Sequence, residues 1–181
     1  YAFQDTGLGF LEQGKCEACG RTRSRWRFSG PHRFLLEGGP KYPDRLEFTG
    51  AGGAPLLLSR RAADAFRENG IIGIEETVPV QTEHESGPLP EGAPDYVLVR
   101  ICGRIELDLP KMGLKKKKLC RVCGGFEWNR QRLSPLLLDA SAWDGNDLCR
   151  VDSIPSYVVC TDNVVALVKK QKLKGFSFRA L

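Results

Sequence analysis

Arginine alternates with uncharged residues without a break over Arg21-Thr22-Arg23-Ser24-Arg25-Trp26-Arg27-Phe28. Period two predicts a strand with Arg21, Arg23, Arg25 and Arg27 on one face and Trp26 on the other. A short strand is expected over residues 45–48, inside a Gly- and Pro-rich stretch. Leu56-Leu57-Leu58 then reads as a buried strand, Ser59 as a helix N-cap, and Ala62, Ala63 and Phe66 fall at helical spacing. Asn69-Gly70 ends that helix, and a second strand is expected over residues 71–76. Residues 81–95 are acidic and rich in Pro and Gly, which predicts a linker or long loop. Strands are expected over 96–101, 103–109 and 126–130. Residues 139–153 carry Asp139, Asp144, Asp147 and Asp152 around Trp143 and read as a polar connector. The chain closes with a strand at 157–160, a cap at Thr161, a helix to about Lys172, Gly175 and a strand at 176–179.

The last unit repeats an earlier one. Shifted by 102 residues, Leu56-Leu57-Leu58-Ser59 falls on Val158-Val159-Cys160-Thr161, Ala62-Ala63 on Val164-Val165, and Gly73-Ile74 on Gly175-Phe176. Shifted by 104, Cys16, Cys19 and Gly20 fall on Cys120, Cys123 and Gly124. The expected class is therefore α+β, in two pseudo-repeated halves. Each half is a Cys-x-x-Cys-Gly knuckle followed by a strand–helix–strand unit. Residues 1–80 form the first half, 81–95 the linker or long loop, and 96–181 the second half.

A length of 181 residues, 41% hydrophobic and 27% charged, suits one ordinary domain or two small lobes and excludes a disordered, collagenous or coiled-coil chain. No apolar run approaches the roughly 18 residues of a membrane span, so no membrane role is expected. The opening residues show no basic, apolar leader, and a cytoplasmic location is expected. The net charge of +5 is unevenly spread. Residues 96–181 hold 16 Lys and Arg against 8 Asp and Glu, and half of that excess is the run Lys115, Lys116, Lys117 and Lys118.

Four of the seven cysteines form the two knuckles. Zinc takes four thiolates in a tetrahedron at about 2.3 Å, and two cysteines separated by two residues can reach one ion from a tight turn. The trailing glycine suits the sharp turn, often at positive φ. Cys16, Cys19, Cys120 and Cys123 are thus the candidate ligands of a structural Zn2+ shared between the halves. Lys15, Arg21, Lys117, Lys118 and Arg121 flank the pairs and would offset the net negative charge of a tetrathiolate. The spacing is unusual, since 100 residues separate Cys19 from Cys120, so the fold must bring the knuckles together. A redox pair normally opens a helix, whereas these are followed by a strand pattern. His32 and His84 lack partners at ligand spacing, and Cys102, Cys149 and Cys160 read as packed thiols. No catalytic triad, Walker or dinucleotide loop, or His-Glu-x-x-His helix is present. Gly50-Ala51-Gly52-Gly53 is not followed by a phosphate-loop Lys-Ser/Thr. An enzyme is not expected.

The paired knuckles resemble those of the bacterial double-CxxCG motif proteins. The segments Leu137-Leu138-Asp139-Ala140-Ser141, Asp147-Leu148-Cys149-Arg150, Tyr157-Val158-Val159-Cys160-Thr161 and Leu173-Lys174-Gly175-Phe176-Ser177-Phe178-Arg179 are similar to that family's C-terminal pattern. Glu17 and Arg121 stand where the family typically has Pro. The resemblance implies an immunity protein that neutralises a cognate toxin by stoichiometric binding, with the four knuckle cysteines as metal ligands and no catalytic residues. The alternative is a zinc-ribbon module that binds nucleic acid through the arginine strand and the lysine run, with affinity falling steeply in salt.

Overall fold

A computed structural model of the protein describes residues 3–5, 11–20, 22–26, 32–36, 42–46, 56–89, 91–123, 126–128, 135–154 and 157–181. They form a mixed α+β fold. The elements of the first part are β1 (Phe3–Asp5), β2 (Leu11–Lys15), β3 (Thr22–Trp26), β4 (His32–Leu36), β5 (Arg45–Leu46), β6 (Leu56–Ser59), α1 (Arg60–Glu68) and β7 (Ile74–His84). There follow β8 (Tyr96–Ile101), β9 (Gly103–Leu107), β10 (Lys116–Leu119), β11 (Phe126–Trp128), β12 (Leu138–Asp139), a 3-10 turn at Ala140–Ala142, β13 (Leu148–Val151), β14 (Val158–Cys160) and α2 (Asp162–Lys170). One sheet has the order β1-β4-β7-β8-β6-β5, a second β12-β9-β13-β14, and β2-β3 and β10-β11 are separate hairpins.

β8 is central because its sequence is apolar on both faces. Val97, Val99 and Ile101 join a core with Leu58, Phe66, Leu148 and the α2 residues Val164, Leu167 and Val168. Tyr96 and Leu98 point the other way, onto Phe34, Leu36, Leu46 and Leu57. Both helices therefore bury their apolar stripes in one cluster, while Ile105, Leu107, Cys149 and Val151 form another within the second sheet. Phe66 is fully buried, and its truncation to Ala would cost about 3–5 kcal/mol.

Two buried aspartates tie the chain across itself. Asp44 accepts from the Ser59 hydroxyl at 2.7 Å, from Arg61 Nη2 at 2.7 Å and from the backbone N–H of Lys174 at 2.7 Å. Asp147 accepts from the Thr161 hydroxyl, from Asn163 Nδ2 at 3.1 Å and from the backbone N–H of Ile72 at 3.2 Å. Each clasp thus takes one backbone donor from a remote segment, 130 residues away at Asp44 and 75 at Asp147. The backbone repeats the exchange: Arg45 N donates to Lys174 O and Leu148 N to Ile72 O, both at 3.1 Å. A glycine stands at each crossing. Gly73 has φ 106 and Gly175 φ 84, and a Cβ would run into the carbonyl oxygen of Leu148 or of Arg45 respectively. Only glycine accepts both the backbone angle and the close approach.

Several elements differ from the sequence expectation. The strand expected over 71–76 begins at Ile74, because Ile72 and Gly73 are taken by the crossing onto the 147–148 segment. It then runs on to His84, four residues into the expected loop, since β4 pairs with it in parallel from His32↔Val80 to Leu36↔His84. The stretch read as a polar connector contains β13, whose Leu148, Cys149 and Val151 are buried. Those three apolar residues are hidden in sequence among Asp, Asn and Gly. No strand forms over 176–179. Phe176 instead packs on Phe66, with ring centroids 6.0 Å apart, and Phe178 stacks on Phe176 at 6.2 Å. The strands expected at 45–48 and 126–130 are seen as Arg45–Leu46 and Phe126–Trp128, and their remaining positions lie outside the described residues.

Candidate metal centre

The cysteines sit at the tips of the two hairpins. β2 and β3 pair antiparallel from Leu11↔Trp26 to Lys15↔Thr22, and residues 16–20 lie in the turn between them. In that turn the Cys19 and Gly20 amides donate to the Cys16 carbonyl at 3.3 and 2.7 Å, and Gly20 has the positive φ, 67, expected of it. β10 and β11 pair in the same sense, with Leu119↔Phe126 flanking the second knuckle. Gly124 and Arg21 lie outside the described residues.

The fold brings the two tips together. Cys16 Sγ is 3.8 Å from Cys120 Sγ, and Cys19 Sγ is 3.7 Å from Cys123 Sγ. All four sulfurs lie within 4.8 Å of one another. These distances are nearly twice a disulfide bond of about 2.05 Å, and none of the four cysteines is in a disulfide. A tetrahedron of sulfurs about 2.3 Å from a central ion has edges of about 3.8 Å. The Cys16–Cys120 and Cys19–Cys123 separations match that edge, and the donor set is all sulfur. The four residues can hold a metal ion.

The surroundings favour thiolate. The amide N–H groups of Cys123 and Val122 draw the Cys120 thiol from its ordinary 9.0 down to about 6. Burial works to raise the Cys16 thiol, but the amides of Cys19 and Ala18 outweigh it, and the balance is downward. Cys16 is buried and Cys19 exposed, so the cluster has an inner and an outer edge. Lys15 precedes the first knuckle at the exposed end of β2 and Arg121 lies exposed within the second. Lys116, Lys117 and Lys118 belong to β10. Each knuckle leads into a strand and neither opens a helix, unlike a redox pair.

The remaining candidates fall elsewhere. His32 is buried in β4, and His84 Nδ1 meets the Ser86 hydroxyl at 2.6 Å; neither joins the cluster. Cys149 is buried, and burial pushes its thiol up to about 11. Cys160 is half-buried and raised by burial as well. Both fit packed thiols. Cys102 does not: it is exposed, at the junction of β8 and β9 where its amide donates to Gly73 O at 2.9 Å and the chain turns it outward. Arg23 and Arg25 lie on β3 as the alternation implied, and Arg27 lies outside the described residues. The acidic stretch is internal wiring, with Asp144 accepting from the Arg104 and Asn146 amides and Asp147 forming its clasp. Sequence reasoning passed over Asp44 and Asp147 as a pair. Their signal was an Asp placed 15 residues before Ser59 and 14 before Thr161.

No protein-family model matches this chain, and no curated protein matches it. Among the described residues no helix is long and apolar enough to cross a membrane.

Proposed function

We propose that the chain is an immunity protein, stapled by zinc, that neutralises a cognate bacterial toxin by direct stoichiometric binding in the cytoplasm. One observation carries the reading: four knuckle sulfurs from segments 104 residues apart converge within 4.8 Å. That pairing is the feature by which the sequence resembles the double-CxxCG proteins. Four protein ligands leave no open position, so the zinc is structural and not catalytic. It holds two pseudo-repeated halves in register. The correspondence at a shift of 102 supports the halves: α1 and α2 are nine residues each, Ser59 matches Thr161, Arg61 matches Asn163, Ile72 matches Lys174 and Gly73 matches Gly175. The matching hairpins, each with a knuckle at its tip, support it further.

The test is co-expression with the product of the neighbouring gene. Rescue of growth, together with a one-to-one complex on size exclusion, is expected. Growth arrest despite abundant folded protein would sink the reading. A second reading, nucleic-acid binding, draws on the placement of Arg23, Arg25 and the lysines of β10 on the two knuckle hairpins. It requires oligonucleotide affinity that falls steeply between about 50 and 200 mM salt.

A further inference from the structure

β6 lies between two strands, β5 on one side and β8 on the other. β14 has β13 on one side and, among the described residues, no strand on the other. The paired sides correspond. Arg45↔Leu58 and Leu46↔Leu57 join β5 to β6 as Leu148↔Cys160 and Cys149↔Val159 join β13 to β14, and a nine-residue helix follows each inner strand. The bare side of β14 is therefore the counterpart of the side of β6 that holds β8. Alternate residues of a strand turn their N–H and C=O groups to opposite neighbours. Tyr157 O accepts from Val151 N and Thr161 N donates to Asp147 O, so Tyr157, Val159 and Thr161 serve β13, and Val158 and Cys160 face outward. Among the described residues no hydrogen bond reaches those outward groups or the Asp162 N–H. Their counterparts at a shift of 102 are Leu56, Leu58 and Arg60. Leu56 pairs with Val99 and Leu58 with Val97 on β8, and Arg60 N donates to Asp95 O at 2.7 Å. Burial follows the same division. Leu58 and Ala63 are buried in one cluster with Val97 and Val99 of β8, whereas their counterparts Cys160 and Val165 are only half-buried. Val158 is 39% exposed. β14 also lacks the lysines, prolines and bulges that keep free edges apart, while β10 carries three lysines.

We infer that the free edge of β14 takes up an extended strand of the protein toxin, antiparallel, in the place that β8 takes beside β6. The inference rests on the toxin-binding reading and gives that reading a surface. The incoming strand meets the outward groups of Val158 and Cys160 and sets a carbonyl on the Asp162 N–H. Its side chains toward α2 are apolar, as those of Val97 and Val99 are toward α1, and they cover Cys160 and Val165. In strand addition the main-chain bonds supply affinity and the alternate side chains specificity. A second copy of this chain fits the edge worse. Pairing β14 with itself about a twofold axis puts both α2 helices on one face of the joined sheet. α1 lies over β8 as well as β6, so each α2 would claim the place above the other copy's strand.

The experiment measures amide exchange of the full-length chain at single residues by NMR, alone and in complex with the product of the neighbouring gene. Val158, Cys160 and Asp162 should exchange quickly in the free chain and about tenfold or more slowly in the complex. Val159, which already serves β13, should change far less. Val158→Pro removes an outward N–H that bonds nothing in the free chain, and the complex should weaken about tenfold or more. Val158→Lys keeps the backbone and places a charge on the edge, and it should weaken the complex as well. Both variants should keep the free-chain protection of α2. A complex that leaves these three amides unprotected, or that binds both variants at the parent's affinity, overturns the inference while the toxin reading stands. Protection of the same amides in the free chain that grows with its concentration assigns the edge to a second copy and overturns it too. Absence of any complex overturns both.

Discussion

The aspartate clasps and the cysteine cluster both join remote parts of the chain, and they do so by opposite means. At each clasp a carboxylate collects donors from three residues, two at its own helix start and one amide from a remote segment. The clasps surround a shared apolar core of both helices, so packing and hydrogen bonds hold them without help. The cysteines sit instead on two-stranded hairpins, which are marginal alone in water. Four cysteine sulfurs gather there within 4.8 Å of one another and could hold an ion. The comparison teaches that this molecule closes its centre with hydrogen bonds and packing, and gathers at its hairpin tips four sulfurs that could hold an ion.

Metal removal tests the contrast most severely. A strong chelator, or Cys120→Ser, should abolish amide protection in residues 11–20 and 116–123 while α1 and α2 keep theirs. The melting midpoint should fall by on the order of 10 °C, because metal binding energy is folding energy. Hydrogen exchange by mass spectrometry reads both. Unchanged hairpin protection would mean that the sulfurs do not fasten the tips.

The crossings come next. Gly73→Ala and Gly175→Ala each impose a positive φ on a side chain and drive a Cβ into a carbonyl oxygen. Each should cost about 3 kcal/mol or more in urea unfolding. A cost below about 1 kcal/mol would show that the crossings can yield.

Smaller effects separate the two clasps. Asp44→Asn and Asp147→Asn should each cost about 1–3 kcal/mol through mismatched donors. Asp44 alone has an arginine partner, but the Arg61 side chain is 59% exposed. The extra loss at Asp44 should therefore stay below about 1 kcal/mol. An equal loss at both would assign the clasps' strength to the shared hydroxyl and amide donors.

The smallest effect is on pH. Burial works to raise the Asp44 carboxyl, and hydrogen bonds from Arg61, the Lys174 amide and Ser59 outweigh it, holding it below its ordinary 3.8. Burial likewise opposes, and bonds from Thr161, the Ile72 amide and Asn163 outweigh, at Asp147. A depressed folded-state value means that the unfolded chain binds the proton more readily. The stabilisation is complete above the ordinary carboxylate range and is lost as pH falls below 3.8 toward the folded-state values. Urea midpoints measured downward from pH 5 should decline in the parent, and the decline should be shallower in Asp44→Asn.

Much of this was legible along the chain. Leu57, Leu58, Ala62, Ala63 and Phe66 announce a strand and a helix through spacing alone, and Ser59 does cap α1 by accepting from the Ala62 amide at 3.1 Å. Thr161 occupies the matching place, yet its side chain makes no cap bond and donates to Asp147 instead. The same local signal thus has two tertiary outcomes. β13 was illegible because three buried residues in four carry too little pattern against polar flanks. Residues 176–179 alternate like a strand, but alternation cannot supply a hydrogen-bonding neighbour.

The sequence by itself determined which residues could ligate a metal, where both helices start, and which strand would be buried on both faces. Those properties follow from side-chain chemistry and from periods of two and 3.6 residues, which act over a few positions. Only the tertiary structure decided that sulfurs 104 residues apart meet at 3.7 and 3.8 Å, that Asp44 and Asp147 bind amides from remote segments, and that Arg150 stands beside Arg104. Such encounters depend on how sheets pair and cross. That choice is set by the burial of the whole core, and no local window of the chain contains it.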